Sequence, residues 1–111
     1  MAKRLGKDTI DKFFKRIDER SDKDKVYASL LYNIIHTIKK DGVTFVLSID
    51  GKNVIYVSDV RDRIIILKIL KEYFLVMEMY EVLSDIDIMI KTHQEVLDEY
   101  NDGKKGNDHQ T

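Results

Sequence analysis

The chain has 111 residues, of which 43% are hydrophobic and 35% charged, and its net charge is −1. This length and balance indicate one folded domain and exclude an extended disordered chain. The absence of cysteine excludes disulfides and thiolate metal sites, so we expect a cytoplasmic protein. Its apolar runs are too short to cross a bilayer, and its charged start has no signal-peptide pattern, so we expect no membrane association.

The charges are distributed unevenly along the chain. Residues 1–41 carry 11 Lys or Arg against 7 Asp or Glu, a balance of +4, whereas residues 42–111 carry 8 against 13, a balance of −5. We therefore expect the two ends to attract one another, within a chain or between chains. A protein that binds duplex DNA usually has a larger basic excess, so the composition favours other partners.

Two helices are predicted before residue 41. The first runs from Asp8 to Arg20, and helical spacing gives it one apolar face, formed by Ile10, Phe13, Phe14 and Ile17. The second begins after Ser21 and ends near Lys40, where Gly42 can close it. Its buried stripe is predicted to be Val26, Tyr27, Leu30, Leu31, Ile34, Ile35 and Ile38.

Within residues 43–57, apolar side chains recur at every second position, as they do in β-strands, and this pattern predicts a β-hairpin. Asp50-Gly51 supplies residues that tolerate positive φ in a tight turn. A two-residue turn there would pair Leu47 with Val54 and Phe45 with Tyr56. Because an isolated two-stranded ribbon is marginal in water, we expect it to lie on helices or to join a partner's sheet.

The stretch 59–83 is the strongest hydrophobic feature and is predicted to be one long central helix. Its charges fall mostly along one side of a helix, at Arg61, Lys68, Lys71, Glu72, Glu78 and Glu81. Ser58 or Asp59 can cap its beginning. An alternative remains open, in which 63–70 and 73–79 are strands joined by a turn at Lys71-Glu72, giving a four-stranded meander.

A last helix is predicted from Asp85 to about Tyr100, with Ser84 as its cap. Its apolar side is expected at Ile86, Ile90, His93 or Gln94, and Leu97. Residues 101–111 contain no apolar side chains to bury, so we expect a disordered tail there. Residues 1–100 are predicted to form a single globular domain. The predicted fold is thus mainly α with a β-hairpin (α+β), in the order helix, helix, hairpin, long helix, helix.

No motif in the sequence indicates a catalytic site, a metal site or a cofactor. His36, His93 and His109 lack carboxylate or ligand partners at suitable spacing. Asp85 and Asp87 are explained by their place in a first helical turn. The lone Gly51 does not make a phosphate-binding loop. We therefore expect a non-enzymatic protein without a small-molecule substrate.

Two surfaces are predicted to bind macromolecules. Leu75, Met79 and Val82 lie near the charged stripe of the central helix and are the candidate dimer or partner interface. An acidic run on the last helix is the candidate docking face for a basic surface, and consists of Glu95, Asp98, Glu99 and Asp102. The leading hypothesis is a non-enzymatic small regulatory or interaction protein that acts as a homodimer by binding another macromolecule, which we expect to be a protein.

The alternative hypothesis is a DNA-binding transcriptional regulator. The segment VYASLLYNIIHTIKKDGV resembles the passage from recognition helix to wing in winged-helix regulators. Independently of that resemblance, the order helix, turn at 21–24, helix and hairpin suits a winged helix-turn-helix arrangement, in which the second helix would enter the major groove and basic side chains would hold phosphates. The contacts expected on this basis are Lys12, Lys15, Arg16, Lys25, Ser29, Asn33 and Lys52, with Tyr32 and His36 on the same helix.

Overall fold

The computed structural model describes residues 4–40, 45–48 and 54–110. For 37–40, 45–46 and 102–110 it describes the backbone alone. The elements, in chain order, are α1 (Lys7–Asp18), α2 (Lys23–Lys40), β1 (Phe45–Leu47), β2 (Ile55–Val57), α3 (Val60–Val76) and α4 (Tyr80–Gln110). The predicted mainly helical class is therefore confirmed. The chain divides into two compact units, 1–65 and 66–111, with the boundary inside α3.

In the first unit, α1 packs against α2 through the face that the spacing predicts. Ile10, Phe13, Phe14 and Ile17 are all buried on α1. The ring of Tyr27 on α2 stacks on Phe14 with 5.8 Å between ring centroids, and its hydroxyl donates a 2.7 Å hydrogen bond to Asp18. The rest of the buried stripe on α2 is Val26, Leu30, Leu31 and Ile34.

The two short strands pair antiparallel and β1 packs against α2. The paired residues are Phe45 with Val57 and Leu47 with Ile55, so the predicted pairs are wrong by one residue. A two-residue turn would leave an even number of residues between paired positions, whereas the observed pairs enclose an odd number. The shift buries Val57 and exposes Tyr56, because neighbouring residues on a strand face opposite sides.

The turn predicted at Asp50-Gly51 lies outside the described residues, and so does Gly42. The hairpin connection therefore stays a prediction, while the pairing of its two strands is observed.

The first turn of α3 binds the N-terminal segment. The carboxylate of Asp62 is fully buried and accepts hydrogen bonds from the Arg4 guanidinium at 2.9 and 3.1 Å and from the Leu5 backbone N–H at 2.7 Å. Gly6, at the N-terminal cap of α1, has φ 87° and ψ 157°, a conformation that glycine alone adopts readily. This backbone conformation lets the chain leave the carboxylate and enter α1 directly.

The predicted long helix, 59–83, is wrong beyond Val76. α3 ends at Val76, and Glu78 has φ 58°. The Met79 N–H bonds to the Phe74 carbonyl at 2.9 Å and the Glu78 N–H to the Leu75 carbonyl at 3.0 Å. These two bonds form a Schellman motif, which ends a helix by satisfying its last carbonyls. The four-stranded meander is also wrong, since residues 63–76 are helical.

In the second unit, α4 begins at Tyr80, so Ser84 lies inside this helix instead of capping it. An ion pair of 2.7 Å joins Lys71 on α3 to Asp87 on α4. The buried side chains of this unit are Ile66, Leu67, Leu70, Phe74, Leu83, Ile86, Met89 and His93.

Beyond residue 100, α4 continues as helix to Gln110, into the segment predicted to be a disordered tail. Backbone hydrogen bonding can continue a helix past its last buried residue. That 1–100 form a single domain stays a prediction.

Candidate functional site

The two compact units carry opposite net charges. Residues 1–65 contain 14 Lys or Arg against 10 Asp or Glu, a balance of +4, and residues 66–111 contain 5 against 10, a balance of −5. The unit boundary thus separates a basic unit from an acidic one.

An exposed apolar surface surrounds the connection between α3 and α4. Five side chains form this apolar turn, each between 45% and 71% exposed: Leu75, Val76, Met77, Met79 and Tyr80. The Schellman motif lies within this surface, since Glu78 in its left-handed position separates Leu75, Val76 and Met77 from Met79 and Tyr80. Of the predicted interface residues, Leu75 and Met79 lie in the apolar turn, and Val82 is half-buried beside it.

A shallow, open cavity of about 290 Å³ adjoins the apolar turn. It is lined by Glu78, Met79, Tyr80, Glu81 and Val82. Methionine adapts to irregular apolar surfaces, and tyrosine combines a large contact area with a polar tip, so both are common in binding interfaces. The chemistry of this lining suits a protein side chain better than a charged small molecule.

The predicted acidic docking face lies on one side of α4. With 3.6 residues per turn, Glu95, Asp98, Glu99 and Asp102 fall within about 100° of the helix circumference. Glu95, Asp98 and Glu99 are exposed, and the Gln94 amide donates a 3.1 Å hydrogen bond to Asp98. Val96 and Tyr100, one residue further along, are also exposed. The side chain of Asp102 lies outside the described residues.

An open groove of about 540 Å³ lies between α1 and β2 in the basic unit. We call it the basic groove, and its lining residues are Thr9, Lys12, Phe13, Lys15, Arg16, Glu19 and Ile55. Three cations against one carboxylate give the groove a net positive charge, while Phe13 and Ile55 supply apolar surface. The structure therefore brings three of the predicted phosphate-binding residues, Lys12, Lys15 and Arg16, to one site.

The outward face of α2 is polar. Its exposed side chains, all within about 100° of the helix circumference by helical spacing, are Lys25, Ser29, Tyr32, Asn33 and His36. The rings of Tyr32 and His36 lie nearly parallel, with 6.2 Å between their centroids. The predicted base-contacting residues thus share one accessible face. Lys52 lies outside the described residues.

Carboxylates at the start of α3 are fully engaged in structural contacts. Of the two caps that the sequence allows, Ser58 and Asp59, it is Asp59 that accepts a 2.8 Å hydrogen bond from the Arg61 backbone N–H. Asp59 also pairs with the Arg61 guanidinium. The hydrogen bond from the Arg61 side chain lowers the pKa of Asp59 to about 2, against the opposing effect of burial. This geometry explains Asp59 as a helix cap and ion-pair partner.

Metal binding and membrane insertion find no support in the described ranges. No three His, Cys, Asp or Glu side chains there are grouped closely enough to hold a metal ion. Buried His93 instead places its Nδ1 2.7 Å from the Met89 carbonyl oxygen. Among the same residues, we find no helix whose length and hydropathy would suit a bilayer crossing.

Some residues of these surfaces are not apparent from the sequence. In the sequence, Val76, Met77 and Tyr80 look like interior residues of one long apolar helix. No Gly, Pro or Asn indicates that this helix breaks at Glu78. Ile55 contributes to the basic groove only through tertiary packing. The i, i+4 spacing of Tyr32 and His36, in contrast, is a signal that could have indicated their stacking.

Comparisons with known proteins yield no relative: no protein-family model, curated protein or solved structure matches this chain.

Proposed function

We propose that this chain is a non-enzymatic interaction protein that forms a homodimer through the apolar turn and acts in the cytoplasm by binding a protein partner. The observation that supports this proposal is the exposure of five adjoining apolar side chains where α3 meets α4. Contiguous exposed apolar surface is unfavourable in water, and its burial against another protein stabilises the complex.

A homodimer is the simplest assembly that covers the apolar turn. Most soluble oligomers are symmetric, and in a twofold dimer the same patch on each chain covers its counterpart. Flexible methionines at the centre of the patch can adjust to such a self-complementary contact. The acidic face of α4 lies outside the apolar turn and offers a second contact surface for a basic partner surface.

The test is the molar mass of purified wild-type protein and of two lysine variants, measured by light scattering. Val76→Lys places a charge in the apolar turn, and we expect it to shift the protein from dimer to monomer. Lysine near a helix C-terminus is compatible with the helix dipole, so α3 should remain folded.

Ile88→Lys is the matched control. Ile88 is 61% exposed on α4 but lies outside the apolar turn, so its replacement should leave the dimer unchanged. A wild-type mass equal to one chain at all concentrations would refute the homodimer. If Val76→Lys and Ile88→Lys dissociate the dimer to the same extent, the apolar turn is not the dimer interface.

The second candidate function is DNA binding. The specific observation that favours it is the polar face of α2, where Lys25, Ser29 and Asn33 are exposed together beside the Tyr32–His36 pair. Side chains of these types can hydrogen-bond base edges in the major groove. Lys12, Lys15 and Arg16 on α1 would then contact phosphates.

A duplex-binding titration at several salt concentrations tests this candidate. Asn33→Ala should weaken sequence-specific binding by about 1–3 kcal/mol, whereas Lys12→Ala should weaken binding to all duplexes and reduce its salt dependence. Asp11→Ala, an exposed acidic neighbour of Lys12 on α1, serves as a control that should not weaken binding. No measurable duplex binding at low salt would exclude this function.

A further inference from the structure

We infer that the basic groove between α1 and β2 receives the acidic face of α4 from a second copy of this chain. The inference rests on the proposed homodimer and names a second contact within it. The groove lies in the unit with a balance of +4, and α4 lies in the unit with a balance of −5.

The charges on the two surfaces have matching spacing. Lys12 and Arg16 are four residues apart on α1, and Glu95 and Glu99 are four residues apart on α4. Both pairs therefore repeat after about one helical turn, or about 6 Å. Two helices that lie side by side can form two ion pairs at this common spacing.

The apolar groups on the two surfaces also correspond. Phe13 and Ile55 line the groove next to its cations. On α4, Val96 is 52% and Tyr100 67% exposed, and each lies about 100° further around the helix than the glutamate that it follows. Carboxylates flanked by exposed apolar side chains on α4 thus correspond to cations beside the half-buried Ile55 in the groove. A nucleic-acid backbone offers the negative charges without the apolar groups.

The size of a stable interface also favours a second contact. Stable dimers bury about 800 Å² on each partner. The five partly exposed side chains of the apolar turn supply only part of that area. In a symmetric dimer the groove contact occurs twice, because each chain contributes one groove and one acidic face.

Charge reversal on each surface, followed by mixing, tests the inference. The groove variant carries Lys12→Glu and Arg16→Glu, and the face variant carries Glu95→Lys and Glu99→Lys. Each variant alone brings like charges together at both contacts, so we expect its dimer dissociation constant, measured by sedimentation at low salt, to rise at least 10-fold.

An equimolar mixture of the two variants should recover tight association. In the mixed dimer every contact again joins opposite charges, because the groove variant keeps its acidic face and the face variant keeps its basic groove. A single chain with all four substitutions should also dimerise. All four positions are exposed, so circular dichroism should show folded protein, and Lys7→Glu with Lys23→Glu controls for the change in net charge.

Four outcomes would overturn the inference. If both variants dimerise like the wild type, the groove is not a dimer contact, although the proposed homodimer through the apolar turn stands. If mixing does not restore association of weakened variants, the acidic face is not the occupant of the groove. If the groove variant dimerises normally but no longer binds a labelled DNA duplex, the groove is a DNA-binding site and not a dimer contact. A wild-type monomer would refute both the inference and the homodimer.

Discussion

Asp59 connects the start of α3 to the pH dependence of stability. Its pKa in the folded chain is about 2, below the value of 3.8 that an unperturbed aspartate has, chiefly because the Arg61 side chain hydrogen-bonds to it. A carboxylate with a lowered pKa stabilises the fold above its unfolded pKa, and this stabilisation is lost as pH falls toward the folded pKa.

We therefore expect part of the free energy of unfolding to disappear between pH 4 and pH 2. Its size should be on the order of 1 kcal/mol, because Arg61 is half exposed and water weakens the pair. Urea denaturation of wild type and Asp59→Asn over this range checks the expectation. The difference between the two proteins should shrink as pH falls, and a constant difference would contradict the role given to Asp59.

At this scale the sequence predicts contacts that are close along the chain. Asp59 precedes its helix directly and was identifiable as a cap. The contact between Arg4 and Asp62 spans 58 positions and depends on how the first unit folds, so no local pattern indicates it. The acidic face could be predicted because all of its members belong to one helix.

The break between α3 and α4 depends on a residue in an unfavourable conformation. Glu78 occupies the left-handed position of the Schellman motif, where glycine is usual. A side chain with a Cβ costs about 1–2 kcal/mol there. Because glutamate gives no turn signal, the sequence pattern continues through the break and predicts one long helix.

Glu78→Gly should raise the free energy of unfolding by about 1 kcal/mol, since glycine adopts positive φ without strain. Chemical denaturation provides the measurement. Glu78→Ala is the control, because it removes the carboxylate but keeps the Cβ. An equal gain from both variants would mean that loss of negative charge, and not backbone conformation, is responsible.

Leu70 tests the packing of α3. Its side chain is fully buried, in agreement with the apolar surface that the sequence predicts for this helix. Leu70→Ala should lower the free energy of unfolding by about 2–5 kcal/mol through lost burial and the cavity that remains. Lys68→Ala, an exposed neighbour on the same helix, should change it by less than about 0.5 kcal/mol. Similar small effects for both would place Leu70 on the surface.

The elements differ in how well the sequence predicts them. The face of α1 follows from strong helical periodicity and matches the buried residues. The face of α2 matches them as far as Ile34, whereas Ile35 is half-buried and the side chain of Ile38 lies outside the described residues. The strand register was missed by one residue, because a register depends on the length of the connection as well as on alternation. The basic groove could not be predicted, since it forms only where α1 and β2 come together.

For the whole molecule, dimerisation should make thermal stability depend on concentration. A ligand that binds only the folded state stabilises it, and in a homodimer the second chain is that ligand. A tenfold increase in protein concentration should raise Tm by about 3 °C. Calorimetry at several concentrations measures this shift. Val76→Lys should abolish it and Ile88→Lys should retain it, whereas a concentration-independent wild-type Tm would contradict the dimer.

The buried carboxylate of Asp62 also has a consequence for proteolysis. Trypsin must bind the Arg4 side chain and an extended backbone around the bond to Leu5, but both residues donate hydrogen bonds to Asp62 in the folded chain. Cleavage after Arg4 therefore requires local opening of the N-terminal segment. Asp62→Asn should accelerate this cut in a time-resolved digest. The cleavage rate of the bond between Arg4 and Leu5 therefore measures how stably the N-terminal segment is bound to the first turn of α3.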